Sequence, residues 1–214
     1  MIKIKNIKIR NILNSAGKEA LEVEIITDNN LRATASSPSA IIPGKREVMM
    51  TNNINEDRLN EMITEICNTE IVDQGNFDNI LNSYMQDLGS NICLPFSLAA
   101  ARLIAQSQNL TLVQYISNIA NCNFKGVSPI PIVTIFSGGV HNQKQSGSIQ
   151  NIMIAVDIHP FSKSIQAITE IYSYIENKLK ERNILNAYGA SSGMITQDLT
   201  VDEKFEMVEN AIKN

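Results

Sequence analysis

The chain has 214 residues, enough for one large domain, or for one ordinary domain and part of another. Its 43% hydrophobic and 19% charged residues suit a soluble globular chain, and a net charge of −4 gives no reason to expect nucleic acid as a partner. No apolar run approaches the ~18 residues of a membrane-spanning helix, and the N-terminal strand carries lysines without a signal-like apolar stretch, so the expectation is a cytoplasmic protein with no membrane partner.

Ile2, Ile4, Ile7 and Ile9 alternate with polar residues, with a shift between Ile4 and Ile7 that predicts a bulged strand. A turn at Asn14-Ser15-Ala16-Gly17 leads to a second strand over 21–27, and Asp28-Asn29-Asn30 reverses the chain into a third over 31–35. Helices follow. Asn55 caps one whose Leu59, Met62, Ile63 and Ile66 share a face, and Phe77, Ile80, Leu81 and Tyr84 repeat that spacing. The stretch LGSNICLPFSLAAARLIAQ is apolar almost all round and rich in alanine, which predicts a close-packed central helix buried on all sides. Leu112, Tyr115, Ile116 and Ile119 make a last short helix before a linker over 121–126. Cys67, Cys93 and Cys122 lack metal-ligand spacing and are expected to be three reduced core thiols.

The second part opens with Pro129 and Pro131, then an apolar run over 130–136 that Gly138 and Gly139 end. A polar loop carrying His141 leads to a second apolar run over 152–158. Both runs read as strands buried on both faces. Phe161, Ile165, Ile168, Tyr172, Ile175 and Leu179 then step by three or four along a long amphipathic helix. After the loop NAYGASSGMITQ, Thr200 and Glu203 form a capping box for a final helix expected to carry Phe205, Val208 and Ile212 inward.

These segments resemble the enolases, the phosphopyruvate hydratases of glycolysis. The family pattern P-x-P-x-x-N-x-x-N-G-G-x-H-A, then I-Q-E-F-M-I, survives here as Pro129, Pro131, Gly138, Gly139, His141, Ile149, Gln150, Met153 and Ile154. Thr134 and Ser137 replace two asparagines, Asn142 replaces an alanine, and Asn151 stands where the family has an acid that handles the leaving hydroxyl. The start of an enolase, A-R-x-I-L-D-S-R-G-N-P-T-V-E-V, is matched by Arg10, Ile12, Leu13, Ser15, Gly17, Glu22 and Val23, with Asn14 and Ala16 in place of an aspartate and an arginine. The family's mobile loop is similar to RATASSPSAIIPGKREV, but Pro38 replaces a glycine, Ala40 replaces the serine that contacts magnesium, and two residues are inserted before Gly44. The alanine-rich helix matches at Leu88, Gly89, Asn91, Leu94, Ser97, Leu98, Ala99, Ala101, Arg102 and Ala105. In V-G-D-E-G-G-F-A-P, Gly189 and Gly193 remain, whereas Ala190 and Ser191 replace the acidic pair that holds the family's general acid.

The resemblance implies an α+β fold. An N-terminal domain over 1–123, an antiparallel three-stranded sheet plus helices, precedes an incomplete β/α-barrel segment over 124–214 with two strands and two helices. It implies a truncated, diverged homologue with no catalytic residue, no metal site and no cofactor, because the family's magnesium ligands are absent or substituted. His141 and Gln150 are the vestigial ligand-binding candidates. His141 reads either as a structural residue at a strand–loop junction or as a contact for an anion. His159 reads as a loop residue. The leading function is a catalytically inactive binding, regulatory or oligomerising protein. It would form a homo-oligomer or a complex with another protein, an authentic enolase being one candidate. The alternative is a magnesium-dependent phosphopyruvate hydratase, a lyase, completed by a second chain. A third reading is a decayed gene product.

Overall fold

The computed structural model describes the chain except for residues 15–16, 38–44, 47, 49, 52, 140–148, 190 and 214. The chain divides into two compact units, Met1–Lys125 and Gly126–Asn214.

The first unit begins with an antiparallel meander of β1 (Ile2–Leu13), β2 (Glu19–Thr27) and β3 (Arg32–Ser36). The register of β1 against β2 shifts between Ile4 and Asn6, where the alternation of the isoleucines breaks. Asn30, with φ of 64°, turns the chain into β3. A two-residue strand, β4 (Glu70–Ile71), joins the free edge of β1 and gives the sheet order β3-β2-β1-β4. Two residues carry no periodicity, so the sequence pattern does not announce β4.

Four helices complete the unit. α1 (Glu56–Asn68) starts at Asn55, whose side chain accepts the Arg58 N–H at 3.2 Å, and buries Leu59, Met62 and Ile66. α2 (Gln74–Leu88) is capped by Asp73, and Gly89, at φ 78°, turns the chain directly into α3 (Ser90–Ser107). α3 packs on β2 and β3, and its Ala99, Ala100 and Leu103 are buried in the same hydrophobic cluster as Val23, Ile25, Ala33 and Ala35. It is not buried all round: Leu94 and Leu98, one turn apart, are each 39% exposed. α4 (Leu112–Ile119) has a Thr111–Gln114 capping box and buries Tyr115 but leaves Ile116 and Ile119 exposed. Of the three thiols, Cys93 alone is in the core; Cys67 is half-buried and Cys122 is exposed, which corrects the expectation of three core cysteines. Burial pushes the Cys93 thiol up to about 11, so it is an inert apolar filler.

Two ties fasten the segment between β3 and α1. Ser37 N–H donates to the Leu21 carbonyl at 3.0 Å beside the meander. At the start of α3, Ser90 Oγ donates to the Val48 carbonyl, and the Asn91 amide both accepts from Thr51 N–H and donates to the Thr51 carbonyl, at 2.9 and 3.0 Å.

In the second unit, β5 (Ile132–Ser137) and β6 (Asn151–Ala155) pair antiparallel, Ser137 opposite Asn151, with a bulge between Thr134 and Phe136. Two further short strands, β7 (Ala187–Tyr188) and β8 (Met194–Ile195), extend the sheet to β6-β5-β8-β7, with β8 parallel to β5. β5 therefore has a neighbour on each side and is buried on both faces from Thr134 to Ser137. β6 has one neighbour and alternates: Ile152 and Ile154 point into the core, while Met153 is 51% exposed. This corrects the reading of both runs as doubly buried. Ile168, Ile175 and Leu179 of α5 (Phe161–Glu181) cover Phe136, Ile152 and Ile154.

α6 (Val201–Lys213) packs against α5 and begins at the expected Thr200–Glu203 capping box. Its inner face differs from the expected one. Lys204, Met207, Val208 and Ala211 are buried, and Phe205 and Ile212 face outward. No helix among the described residues is long and apolar enough to cross a membrane.

Candidate functional site

The sequence directs attention to the carboxyl end of β5, where the glycine pair and the start of β6 flank, in the chain, the loop that carries His141. Gly138 N–H donates to the Gln150 carbonyl at 2.7 Å and closes the base of that loop. Gly139 has a φ of 58°, and a Cβ there would lie 3.2 Å from the Gln150 Cα, so only glycine fits without strain. The Gln150 side chain is exposed. His141 and Ala40 both lie outside the described residues.

The loop between β7 and β8 folds onto the same end of β5. A Cβ on Gly193 would sit 2.3 Å from Ser137 Oγ and 2.6 Å from Thr134 Cγ2, and one on Gly189 would sit 2.7 Å from Ser137 Oγ. Both retained glycines are thus explained by close approach of backbone to a strand side chain. The loop is closed by Gly189 N–H to the Gly193 carbonyl at 2.8 Å, and tied to α5 by Tyr172 Oη donating to the Ser192 carbonyl at 2.6 Å. Tyr188 Oη donates to Glu176, which also pairs with Lys180. Tyr188 and then Lys180 hold the Glu176 carboxyl below its ordinary pKa.

Ser137 is 2% exposed, and among the described residues neither its Oγ nor Asn151 Oδ1 has a hydrogen-bond partner. These two orphan atoms belong to directly paired residues, so they lie on one face of the sheet. Both are neutral, as is Ser191, which is exposed in the loop. Mg²⁺ takes oxygen ligands supplied mainly by carboxylates. Positions 151 and 191 offer none, and among the described residues no three His, Cys, Asp or Glu side chains are grouped so as to hold an ion.

At the start of β5 lies a groove of about 280 Å³, lined chiefly by Val127, Ile130, Val156, Ile158 and Phe161. His159 Nε2 stands 3.6 Å from Asp157 Oδ1 on its rim, and both side chains are largely in solvent. Ser164 Oγ fixes this corner by bonding both N–H and carbonyl of Ile158. Sequence pattern does not announce this groove, because much of its wall is irregular backbone without periodicity.

A curled antiparallel sheet backed by helices, followed by a unit that opens with an antiparallel strand pair and one parallel strand, defines an α+β protein of the kind that precedes and begins a β/α barrel. The sequence matches the family model described as enolase, N-terminal domain, over residues 4–116, more than half the chain, and the protein belongs to the enolase family. It is 27% identical to the enolase of Ehrlichia ruminantium (strain Gardel) over 231 aligned residues, covering 99% of this chain and 54% of that one. It is 28% identical to the enolase of Ehrlichia canis (strain Jake) over 230, with the same coverage. The chain thus spans about half the length of the curated relatives it matches.

Proposed function

We propose that this chain is a non-catalytic member of its family that acts through binding, as a regulatory or oligomerising protein. The observation that carries this reading is the chemistry at the end of β5: Asn151 opens β6 and Ser191 lies in the glycine loop, and neither offers a carboxyl group to exchange a proton near neutral pH. By resemblance, both positions carry acids in active enolases. Ala40 adds to the argument, since alanine has no oxygen to offer a metal. Ser137 and Asn151 retain hydrogen-bonding groups without charge, which suits binding without turnover.

The second reading, phosphopyruvate hydratase activity completed by another chain, draws on the retained Gly138, Gly139, His141 and Gln150. An assay of phosphoenolpyruvate formation from 2-phosphoglycerate at millimolar Mg²⁺ separates the two. The expected result is no formation above background, alone or mixed with a polypeptide supplying the other half of an enolase barrel. Turnover in the mixture that disappears when Gln150 is changed to Ala would overturn the first reading.

A further inference from the structure

The groove at the start of β5 combines an apolar floor with a charged rim. Val127, Ile130, Ile158 and Phe161 line it, at 63%, 51%, 46% and 41% exposed. Its walls are held in place. Val156 N–H donates to the Pro131 carbonyl at 3.2 Å and joins the two sides, while Ser164 Oγ grips both backbone groups of Ile158. Pro129 and Pro131 fix φ along the opposite side. The groove is formed before anything enters it, which spares a ligand the cost of ordering it. An apolar cavity of about 150 Å³ takes a benzene ring, so 280 Å³ has room for a second ring.

The charge on the rim sets the sign of what fits. Asp157 and His159 are the only ionisable residues lining the groove, and Asp157 supplies a full negative charge. Lys163, in the first turn of α5, bends along its own helix, with Nζ 3.2 Å from Gln166 Oε1. The N-terminus of α5 opposes Asp157, but a helix end carries only about half a unit charge. The face of the Phe161 ring adds to the preference for a cation.

We propose that this groove binds a small amphipathic amine, with a body of one or two rings against Val127, Ile130, Ile158 and Phe161 and its ammonium group on Asp157. The ammonium donates a charge-assisted hydrogen bond to the carboxylate. An apolar acid would instead bring its own carboxylate against Asp157. The six residues of β5 put about 17 Å between Ile132 at this end and Ser137 at the glycine-loop end. Binding here therefore stands or falls apart from the reading given above for the other end of the strand.

Tryptamine tests it, since the chain has no tryptophan and the indole emission belongs to the probe alone. Titration of the full chain is expected to give a dissociation constant at or below about 1 mM, the range open to a ligand of this size. Indole-3-acetate, which the end of α5 would favour, should bind at least about tenfold more weakly. Asp157→Asn should remove that preference and leave the affinity for neutral 3-methylindole unchanged. Phe161→Ala should weaken all three probes alike. Both side chains stand at the surface, so both variants should keep the circular dichroism and melting temperature of the parent. Absence of tryptamine binding up to about 10 mM, indole-3-acetate binding as tightly as tryptamine, or a preference that survives Asp157→Asn would overturn the proposal.

Discussion

Ser137 shows how much one side chain decides at the end of β5. Its hydroxyl is buried beneath the backbone of Gly189 and Gly193 and has no partner among the described residues. An unsatisfied buried hydroxyl costs on the order of 1–3 kcal/mol, so Ser137→Ala is expected to raise stability, by about 1 kcal/mol in urea titration. Gly193→Ala should do the reverse, costing about 1–3 kcal/mol, since its methyl group would strike Ser137 and Thr134. Lys204 offers a second residue-scale test. Burial lowers its pKa, so its charged form is disfavoured in the folded state. That penalty is complete below the folded pKa and is relieved as pH rises from there toward the unfolded value near 10.4. Lys204→Met is therefore expected to stabilise the protein at pH 7 by about 1 kcal/mol, and to remove the gain in stability on going to alkaline pH.

At the scale of elements, α3 and α6 mark where the sequence misleads. α3 is apolar nearly all round, yet Leu94 and Leu98 stand at the surface while Phe96, Ala99 and Leu103 are buried. Leu98→Asp should accordingly leave a folded protein with a loss below about 1 kcal/mol, whereas Leu103→Asp should prevent folding of the first unit. Thermal denaturation followed by circular dichroism distinguishes them. In α6 the residues chosen by hydrophobicity, Phe205 and Ile212, are the ones left outside. The long aliphatic stem of Lys204 fills the inner face with Met207 and Val208 instead. Hydropathy ranks side chains one by one, but which stripe turns inward depends on neighbours the helix does not contain. β4, β7 and β8 were illegible for a simpler reason: two residues cannot display a period of two. The meander, its bulge, the caps at Asn55 and Thr200, and the β5–β6 pair were legible because each rests on local pattern or turn chemistry. Of the site, the glycines and neutral substitutions could be read from sequence. The orphaning of Ser137 and Asn151 could not, since it depends on how closely a loop some fifty residues away settles on the strand.

At the scale of the whole molecule, each unit has a hydrophobic cluster of its own among the described residues, one built from Ile4 to Tyr115, the other from Ile135 to Ala211. Residues 1–125 are therefore expected to fold alone, with a cooperative urea transition and the mixed helix and strand signature of the intact chain. A fragment that stays unfolded would show that its core depends on the rest of the polypeptide.

The two ties around the segment after β3 have a further consequence. With Ser37 fixed beside Leu21 at one end, and Val48 and Thr51 fixed on Ser90 and Asn91 at the other, the distance the intervening chain must span is set by its anchors. The free energy of joining two fixed points grows only with the logarithm of the number of residues between them. Lengthening such a connection from eight to ten residues costs about 0.2 kcal/mol. By resemblance to the family two residues are inserted before Gly44, and with anchors fixed in this way such an insertion is expected to be nearly neutral for folding.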